Sequence, residues 1–235
     1  MGKDKPQSPE TSLPHDVAAI RKEISQFLNR EDSKKRVIGN AQYGVYAFYD
    51  YDGEPIYVGQ TRERLRARIG RHLTNQRTDA VAMNVLDPFE VAEIEVWPIY
   101  PGRASEKKIS ELLHATEYTV FQKVLRESKL GSVLNEKDIP KKTLVALPPS
   151  FRSRIIPDSI YSHRKHSDIR IARRSSTIAA LARVISERDV SKGLRRTLLT
   201  QARRLERLAR QRFEEINGKI PLEEPNEETG EKISK

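Results

Sequence analysis

Apolar and aromatic positions between residues 43 and 58 predict two neighbouring strands. The run Tyr43–Asp50 leads into a polar segment containing Asp52-Gly53, and a second apolar run, Pro55–Val58, follows directly. Asp-Gly between two β-branched and aromatic runs is typical of a tight hairpin turn. We therefore expect an antiparallel strand pair joined at Asp52-Gly53.

After residue 59 the apolar spacing changes to that of a helix. Leu65, Ile69 and Leu73 recur every fourth residue, which places them on one face of a helix. Five arginines crowd the same stretch: Arg62, Arg64, Arg66, Arg68 and Arg71. A basic helix should follow the second strand.

Four further segments complete the predicted module. The apolar spacing of Asp16–Asn29 predicts an N-terminal helix, and Thr78–Pro88 is expected to hold a short helix. Phe89–Trp97 is predicted to be a third strand, which Pro98 and Pro101 end. A long helix is expected at Glu106–Ser128. Together these elements predict an α+β fold with a small three-stranded antiparallel sheet flanked by helices.

The last third of the chain differs in composition from the module. Pro140–Pro157 contains Pro148-Pro149 and resembles a linker, Tyr161–Arg174 is expected to be irregular and basic, and helices are predicted at Ser176–Glu187 and Ser191–Ile216. These helices would lie along DNA or pack on a second subunit. The predicted division is a flexible tail at 1–15, a catalytic domain with its N-terminal helix at 16–139, a linker at 140–157, a basic helical region at 158–217 and an acidic disordered tail at 218–235.

Charge favours a polyanionic partner. The formal net charge is +10, and residues 151–216 contain 17 Lys and Arg against 7 Asp and Glu, so they account for the whole excess. Such a region suits the phosphate backbone of nucleic acid, although a solvated helix face is the plainer alternative. The residues predicted to contact DNA are Arg62, Arg64, Arg66, Arg71, Arg164, Lys165, Arg173 and Arg174.

Two compositional features limit the remaining classes of function. The chain has no cysteine, which excludes disulfides and thiolate metal sites. The sequence also lacks an apolar run long enough for a signal peptide or membrane helix, so we expect a cytoplasmic protein that does not bind membranes.

Candidate chemistry lies in the predicted hairpin and the basic helix. Gly44-Val45-Tyr46 is followed eleven residues later by Tyr57-Val58-Gly59 and then by Arg68. Two phenols and a guanidinium at one end of a sheet suit phosphodiester cleavage, because an arginine fork matches the charge of the transition state. Each residue alone is better explained as an ordinary strand aromatic or a surface charge; the order and spacing favour a site.

This combination resembles the GIY-YIG endonuclease superfamily, whose members cut nucleic acid with a divalent metal. The resemblance implies that Tyr46 acts as, or relays to, the general base and that Tyr57 hydrogen-bonds near the scissile phosphate. It also implies that Arg68 stabilises the transition state, while Gly44 and Gly59 are structural glycines. The next residue on the arginine face is His72, which is catalytic in this resemblance, as in some restriction enzymes of the superfamily, or a plain surface histidine.

The same resemblance implies a metal ligand on the long helix and an asparagine after it. Glu117 falls within the apolar stripe of that helix, where burial is costly unless a cation compensates it. It is the predicted ligand of Mg²⁺ or Mn²⁺. Asn135 matches the asparagine that braces the site, although a turn residue is the alternative.

Within the superfamily, the chain most resembles type II restriction endonucleases. This likeness implies sequence-specific hydrolysis of double-stranded DNA by a homodimer, with a cognate methyltransferase as a further partner. Three alternatives stay open. The first is a repair, mobile-element or antiphage nuclease that cuts by DNA structure or without sequence preference. The second is a non-catalytic DNA-binding protein, and the third is a regulator with a repressor-like helical pair.

Overall fold

A computed structural model describes residues 15–73, 86–135 and 137–218 of the chain. The short helix predicted at 78–88 and both predicted tails lie almost entirely outside these ranges. Within the ranges, no helix is long and apolar enough to cross a membrane.

The strands form one antiparallel sheet. β1 (Tyr43–Tyr49) and β2 (Pro55–Thr61) make the predicted hairpin, whose turn contains Gly53 at φ 70°. β3 (Glu93–Ile99) pairs with the other side of β1, and β4 (Phe151–Arg154) pairs with β3. The order in the sheet is β2-β1-β3-β4. The α+β class is confirmed, whereas the prediction of three strands is wrong.

The fourth strand lies inside the segment predicted as a linker. Its residues Phe151–Arg154 pair with Glu93–Val96 of β3. So short a strand after two prolines has little pattern of its own, and it is specified by the strand it pairs with. Sequence periodicity therefore does not reveal it.

The third strand continues through a residue predicted to end it. Pro98 lies opposite Gly44 within the β1–β3 pairing. Since β4 pairs only with Glu93–Val96, the other side of β3 is an edge at Pro98, where a missing N–H costs no ladder hydrogen bond.

Six α-helices lie in the described ranges. They are α1 (His15–Leu28), α2 (Leu65–Leu73), α3 (Glu106–Glu127), α4 (Asp158–Lys165), α5 (Ser167–Glu187) and α6 (Lys192–Asn217). The segment predicted to be irregular and basic is thus helical. Its helical pattern is hidden because its buried positions include the charged residues Arg170 and Arg174.

Helices cover both faces of the sheet. Tyr46 and Phe48 point into an apolar cluster shared with α1, α2 and the C-terminal helices, which contribute Leu181 and Leu194. The opposite face packs Val45, among others, against α3. The C-terminal helices therefore share a core with the sheet.

A buried charge network joins the C-terminal helices to the end of β1. Asp50 is 2% exposed and its Oδ2 accepts hydrogen bonds from Arg170, Arg174 and Arg204 at 3.4, 3.0 and 2.6 Å. The Arg174 Nε atom also donates to Glu90 at 2.8 Å. Buried charges are tolerated when they are paired in this way.

Candidate active site

The Tyr46 hydroxyl is the centre of the candidate site. It accepts a hydrogen bond from Arg68 Nε at 3.1 Å and lies 3.1 Å from His72 Nε2. A guanidinium can only donate, whereas the phenol can both accept and donate. The direction of the Tyr46–His72 hydrogen bond is set by which ring nitrogen of His72 carries a proton.

Tyr57 completes an aromatic cluster around Arg68. Its ring is stacked 6.1 Å from that of Tyr46 and lies 5.4 Å from that of His72. Arg68 is also hydrogen-bonded to Tyr57. Burial lowers the pKa of Arg68, but the two phenols raise it more, so its pKa is above the usual value.

Register and helix spacing bring these groups together. Tyr46 lies directly opposite Gly59 in the β1–β2 pairing, and Tyr57 precedes Gly59 by two residues on the same face of β2. Arg68 and His72 are one turn apart on α2. The spacing read from the sequence therefore corresponds to real proximity.

The site residues differ in exposure. Tyr46 is 0% exposed and His72 4%, whereas Tyr57 and Arg68 are partly exposed. Arg68 lines an open cleft together with residues 60–63. A phosphate could thus reach Arg68 and Tyr57 directly, but Tyr46 only through its partners.

Glu117 lies half-buried on α3 within the electrostatic range of Arg68. Burial raises the pKa of its carboxyl to about 7, although the Arg68 charge lowers it somewhat. In the part of the chain that the structure describes, its carboxylate makes no hydrogen bond or ion pair. As predicted, the carboxylate of Glu117 is therefore partly buried on α3 without a paired cation among the described residues.

Residues 42–119 match the family model of the GIY-YIG catalytic domain. This match supports the assignment of the domain to the GIY-YIG superfamily, and it indicates an endonuclease. The matched GIY-YIG domain includes Tyr46, Tyr57, Arg68, His72 and Glu117 but ends before Asn135 and the C-terminal helices. No curated protein and no solved structure matched the chain.

GIY-YIG nucleases generally depend on a divalent metal, which side chains with oxygen or nitrogen donors would have to bind. Among the described residues, no group of three or more His, Asp or Glu side chains could hold a metal ion. Mg²⁺ often uses one or two carboxylates and takes its other ligands from water and phosphate. A lone carboxylate whose charge is poorly compensated fits such an ion, and Glu117 meets that description.

Asn135 contacts the backbone of the outer strand of the GIY-YIG domain. Its Nδ2 donates to the Val58 carbonyl at 2.7 Å, and its Oδ1 accepts from the Val58 N–H at 3.2 Å. β2 is an edge strand, so this amide satisfies groups that no other strand pairs. Asn135 is positioned to hold Val58, and with it the neighbours Tyr57 and Gly59.

The predicted DNA contacts around α2 have different surroundings. Arg64 is exposed and makes no ion pair with another described residue. The other three are engaged within the protein: Arg62 donates to Ser110, Arg66 to Asn29 and Asn40, and Arg71 pairs with Glu63.

The predicted contacts in the C-terminal helices also differ. Lys165 is exposed, whereas Arg164 pairs with Asp16 and Arg173 with Asp87. Arg174 is 4% exposed and engaged by Asp50 and Glu90, so its charge does not face solvent. Sequence reasoning missed this inward role because the acids that pair with Arg174 lie far away in the chain.

Proposed function

We propose that the chain is a metal-dependent endonuclease that hydrolyses phosphodiester bonds in double-stranded DNA. The observation that supports this most strongly is the position of Arg68, which is hydrogen-bonded to two phenols and lies within electrostatic range of Glu117. A fixed guanidinium beside an ionisable carboxylate suits a reaction that concentrates negative charge on a phosphate.

Arg68 and Tyr57 are the proposed contacts to the scissile phosphate. Both are partly exposed, and Arg68 faces the open cleft. The Arg68 Nε atom is held by Tyr46, which fixes the plane of the guanidinium before substrate arrives. Preorganisation of this kind favours the transition state over the ground state.

Tyr46 and His72 are the proposed path for the proton of the attacking water. As water attacks phosphorus, its proton passes to Tyr46 Oη while the Tyr46 proton passes to His72 Nε2, across the 3.1 Å contact. The bond between phosphorus and the leaving sugar oxygen breaks and that oxygen takes a proton from solvent water, so the products are one phosphate end and one hydroxyl end. Because Tyr46 is fully buried, water must enter beside Arg68 for this transfer.

Glu117 is the proposed protein ligand of Mg²⁺ or Mn²⁺. When bound, such an ion neutralises charge on the phosphate and lowers the pKa of a water ligand. Coordination would also favour the ionised carboxylate, which burial alone disfavours. Asn135 is then a positioning residue, since it acts through the Val58 backbone.

We further propose that the enzyme is a sequence-specific restriction endonuclease. The support is the likeness of the Arg68/His72 pair to such enzymes. A homodimer, a cytoplasmic location and a cognate methyltransferase belong to the same proposal. Arg64 and Lys165, which are exposed, are its best-placed contacts to the DNA backbone.

Cleavage of a plasmid of known sequence tests both parts of this proposal. The protein is incubated with Mg²⁺, with Mn²⁺ or with EDTA, and fragment ends are sequenced. Metal-dependent discrete fragments that share one short palindrome are the expected result. A smear or nicking would replace restriction by structure-directed or nonspecific cleavage, and DNA binding without cleavage under any metal would reject the catalytic proposal.

A further inference from the structure

A pocket of about 390 Å³ lies between the β1–β2 turn and the second half of α6, outside the candidate active site. Three carboxylates line it, from Asp50, Asp52 and Glu54. Five cationic side chains line it as well: Lys129, Lys165, Arg174, Arg204 and Arg207. Cationic groups are thus in excess around this space.

The carboxylates of the pocket are already compensated within the protein. Asp50 accepts from three arginines, as described above, and Asp52 accepts from Arg170 Nη2 at 2.7 Å. Glu54 accepts from the backbone N–H of Lys129 at 3.0 Å and of Leu130 at 3.4 Å. None of the three is left to attract a cation.

Three of the cations are not compensated in this way. Within residues 15–73, 86–135 and 137–218, the side chains of Lys129, Lys165 and Arg207 form no ion pair, and the first two are exposed. Their ammonium and guanidinium groups come from the turn after α3, from α4 and from α6. A ligand in the pocket would meet positive charge from three separate segments.

Arg204 adds a buried guanidinium that is paired with Asp50 through one nitrogen and has another nitrogen without a described partner. Its side chain lines the pocket at 3% exposure, and its Nη1 atom has no hydrogen-bond partner among the described residues. Burial lowers the pKa of this guanidinium to about 10, since Asp50 offsets the cost only in part. A further anion nearby would therefore be stabilising.

We propose that this pocket binds a phosphate group, and that the group is a backbone phosphate of DNA held away from the scissile bond. The second part rests on the proposed nuclease function. From Glu117 to the end of α3 is about ten residues, or about 15 Å. Since Lys129 lies beyond that end of α3, the phosphate would be one other than the scissile phosphate.

The first test compares duplex binding over a range of salt concentrations in EDTA. Lys129→Ala/Arg207→Ala removes two cations of the pocket, and Arg195→Ala/Arg203→Ala removes two exposed cations of α6 outside it. Because the pocket holds one phosphate, the slope of log affinity against log salt should fall by about one for the pocket variant and by less for the control. Equal changes in both variants would overturn the proposal for DNA.

The second test asks for phosphate binding without DNA. Melting temperatures are compared in sodium phosphate and in sodium chloride of equal ionic strength. The wild type and the control should gain stability in phosphate that the pocket variant does not gain. If the pocket variant loses the stabilisation by phosphate but keeps the wild-type salt dependence of DNA binding, the pocket binds a free phosphate compound and not DNA. No difference in either test would reject the site.

These outcomes are separable from failure of the proposed function. A wild-type protein that cuts no DNA, yet whose phosphate-dependent stabilisation is lost in the pocket variant, would keep the phosphate site and reject the nuclease proposal. Conversely, the two double variants could behave alike in both tests while the wild type cuts DNA. That result would support the nuclease proposal and reject the phosphate site.

Discussion

A Cβ atom at Gly59 would lie 2.6 Å from the Tyr46 hydroxyl and 2.7 Å from the carbon that bears it. Real Cβ atoms do not approach other atoms so closely, so the phenol occupies space that exists only because residue 59 has no side chain. The position of the Tyr46 hydroxyl, and with it the orientation of Arg68, depends on this glycine.

Gly59→Ala should therefore damage activity more than folding. The added methyl group must displace the Tyr46 ring, which we expect to lower kcat about 100-fold and stability by about 1–3 kcal/mol. Gly70→Ala is the matched control, since residue 70 lies in a helix and a Cβ there would meet no atom of the described residues within 4 Å. Single-turnover cleavage and thermal melting measure both effects. Wild-type kcat in Gly59→Ala would show that the Tyr46 position is unimportant.

Arg68→Lys should separate charge from geometry. Lysine keeps one positive charge but cannot reproduce a planar fork, so kcat should fall about 100- to 1,000-fold while affinity for DNA changes little. Arg64→Ala, at the residue immediately before α2, provides the comparison: it should weaken binding and leave kcat unchanged. If Arg68→Lys changes only affinity, Arg68 is a backbone clamp and not part of the reaction.

Glu117→Gln should stabilise the protein at alkaline pH. The folded-state pKa of about 7 exceeds the ordinary value of 4.5, so the folded protein binds this proton more tightly. The resulting stability is full below about pH 4.5 and is lost as pH rises through 7. Glutamine avoids that loss, and its melting temperature in EDTA should exceed that of the wild type at pH 8 but not at pH 4.5.

Glu111→Gln is the control for this pH effect. Glu111 lies on the same helix but is exposed, so the same change should leave the melting temperature unaltered at both pH values. An equal gain from the two substitutions would mean that Glu117 carries no special burial cost.

The sequence predicted the candidate site better than its surroundings. The order Tyr46, Tyr57, Arg68 is local enough that a hairpin and the next helix bring the three together, and these elements could be read from turn chemistry and apolar spacing. The hydrogen bond between Tyr46 and His72 could not be predicted, because i, i+4 spacing fixes a helix face but not what that face contacts.

The C-terminal helices show why the rest was missed. Arg170, Arg174 and Arg204 occupy interior positions where helix patterns normally require apolar residues. Their partners Asp50 and Glu90 lie more than 75 residues away in the chain. A pairing of this kind depends on tertiary structure. Charge alone predicts that these arginines are exposed, whereas in the fold they are buried.

Asp50→Asn should destabilise the protein strongly. It removes the carboxylate shared by Arg170, Arg174 and Arg204, and losing one partner of a buried ion pair typically costs about 3–5 kcal/mol. Denaturant unfolding measures the change. Asp138→Asn is the surface comparison, since its ion pair with Arg196 is exposed and worth about 1 kcal/mol or less.

A double substitution distinguishes the network from a general loss of packing. Arg204→Met, combined with Asp50→Asn, removes both charges of the shortest contact, so its cost should be well below the sum of the single costs. Simple additivity would mean that Asp50 and Arg204 do not stabilise each other.

Single-turnover cleavage by Glu117→Gln, measured beside its DNA affinity, tests the central claim most directly. The side chain keeps its shape but cannot bind Mg²⁺ as a carboxylate does, so we predict that DNA is bound as by the wild type and is not cut. Cleavage by Glu117→Gln at the wild-type rate in Mg²⁺ would contradict the account, because the reaction would then not use the carboxylate beside Arg68.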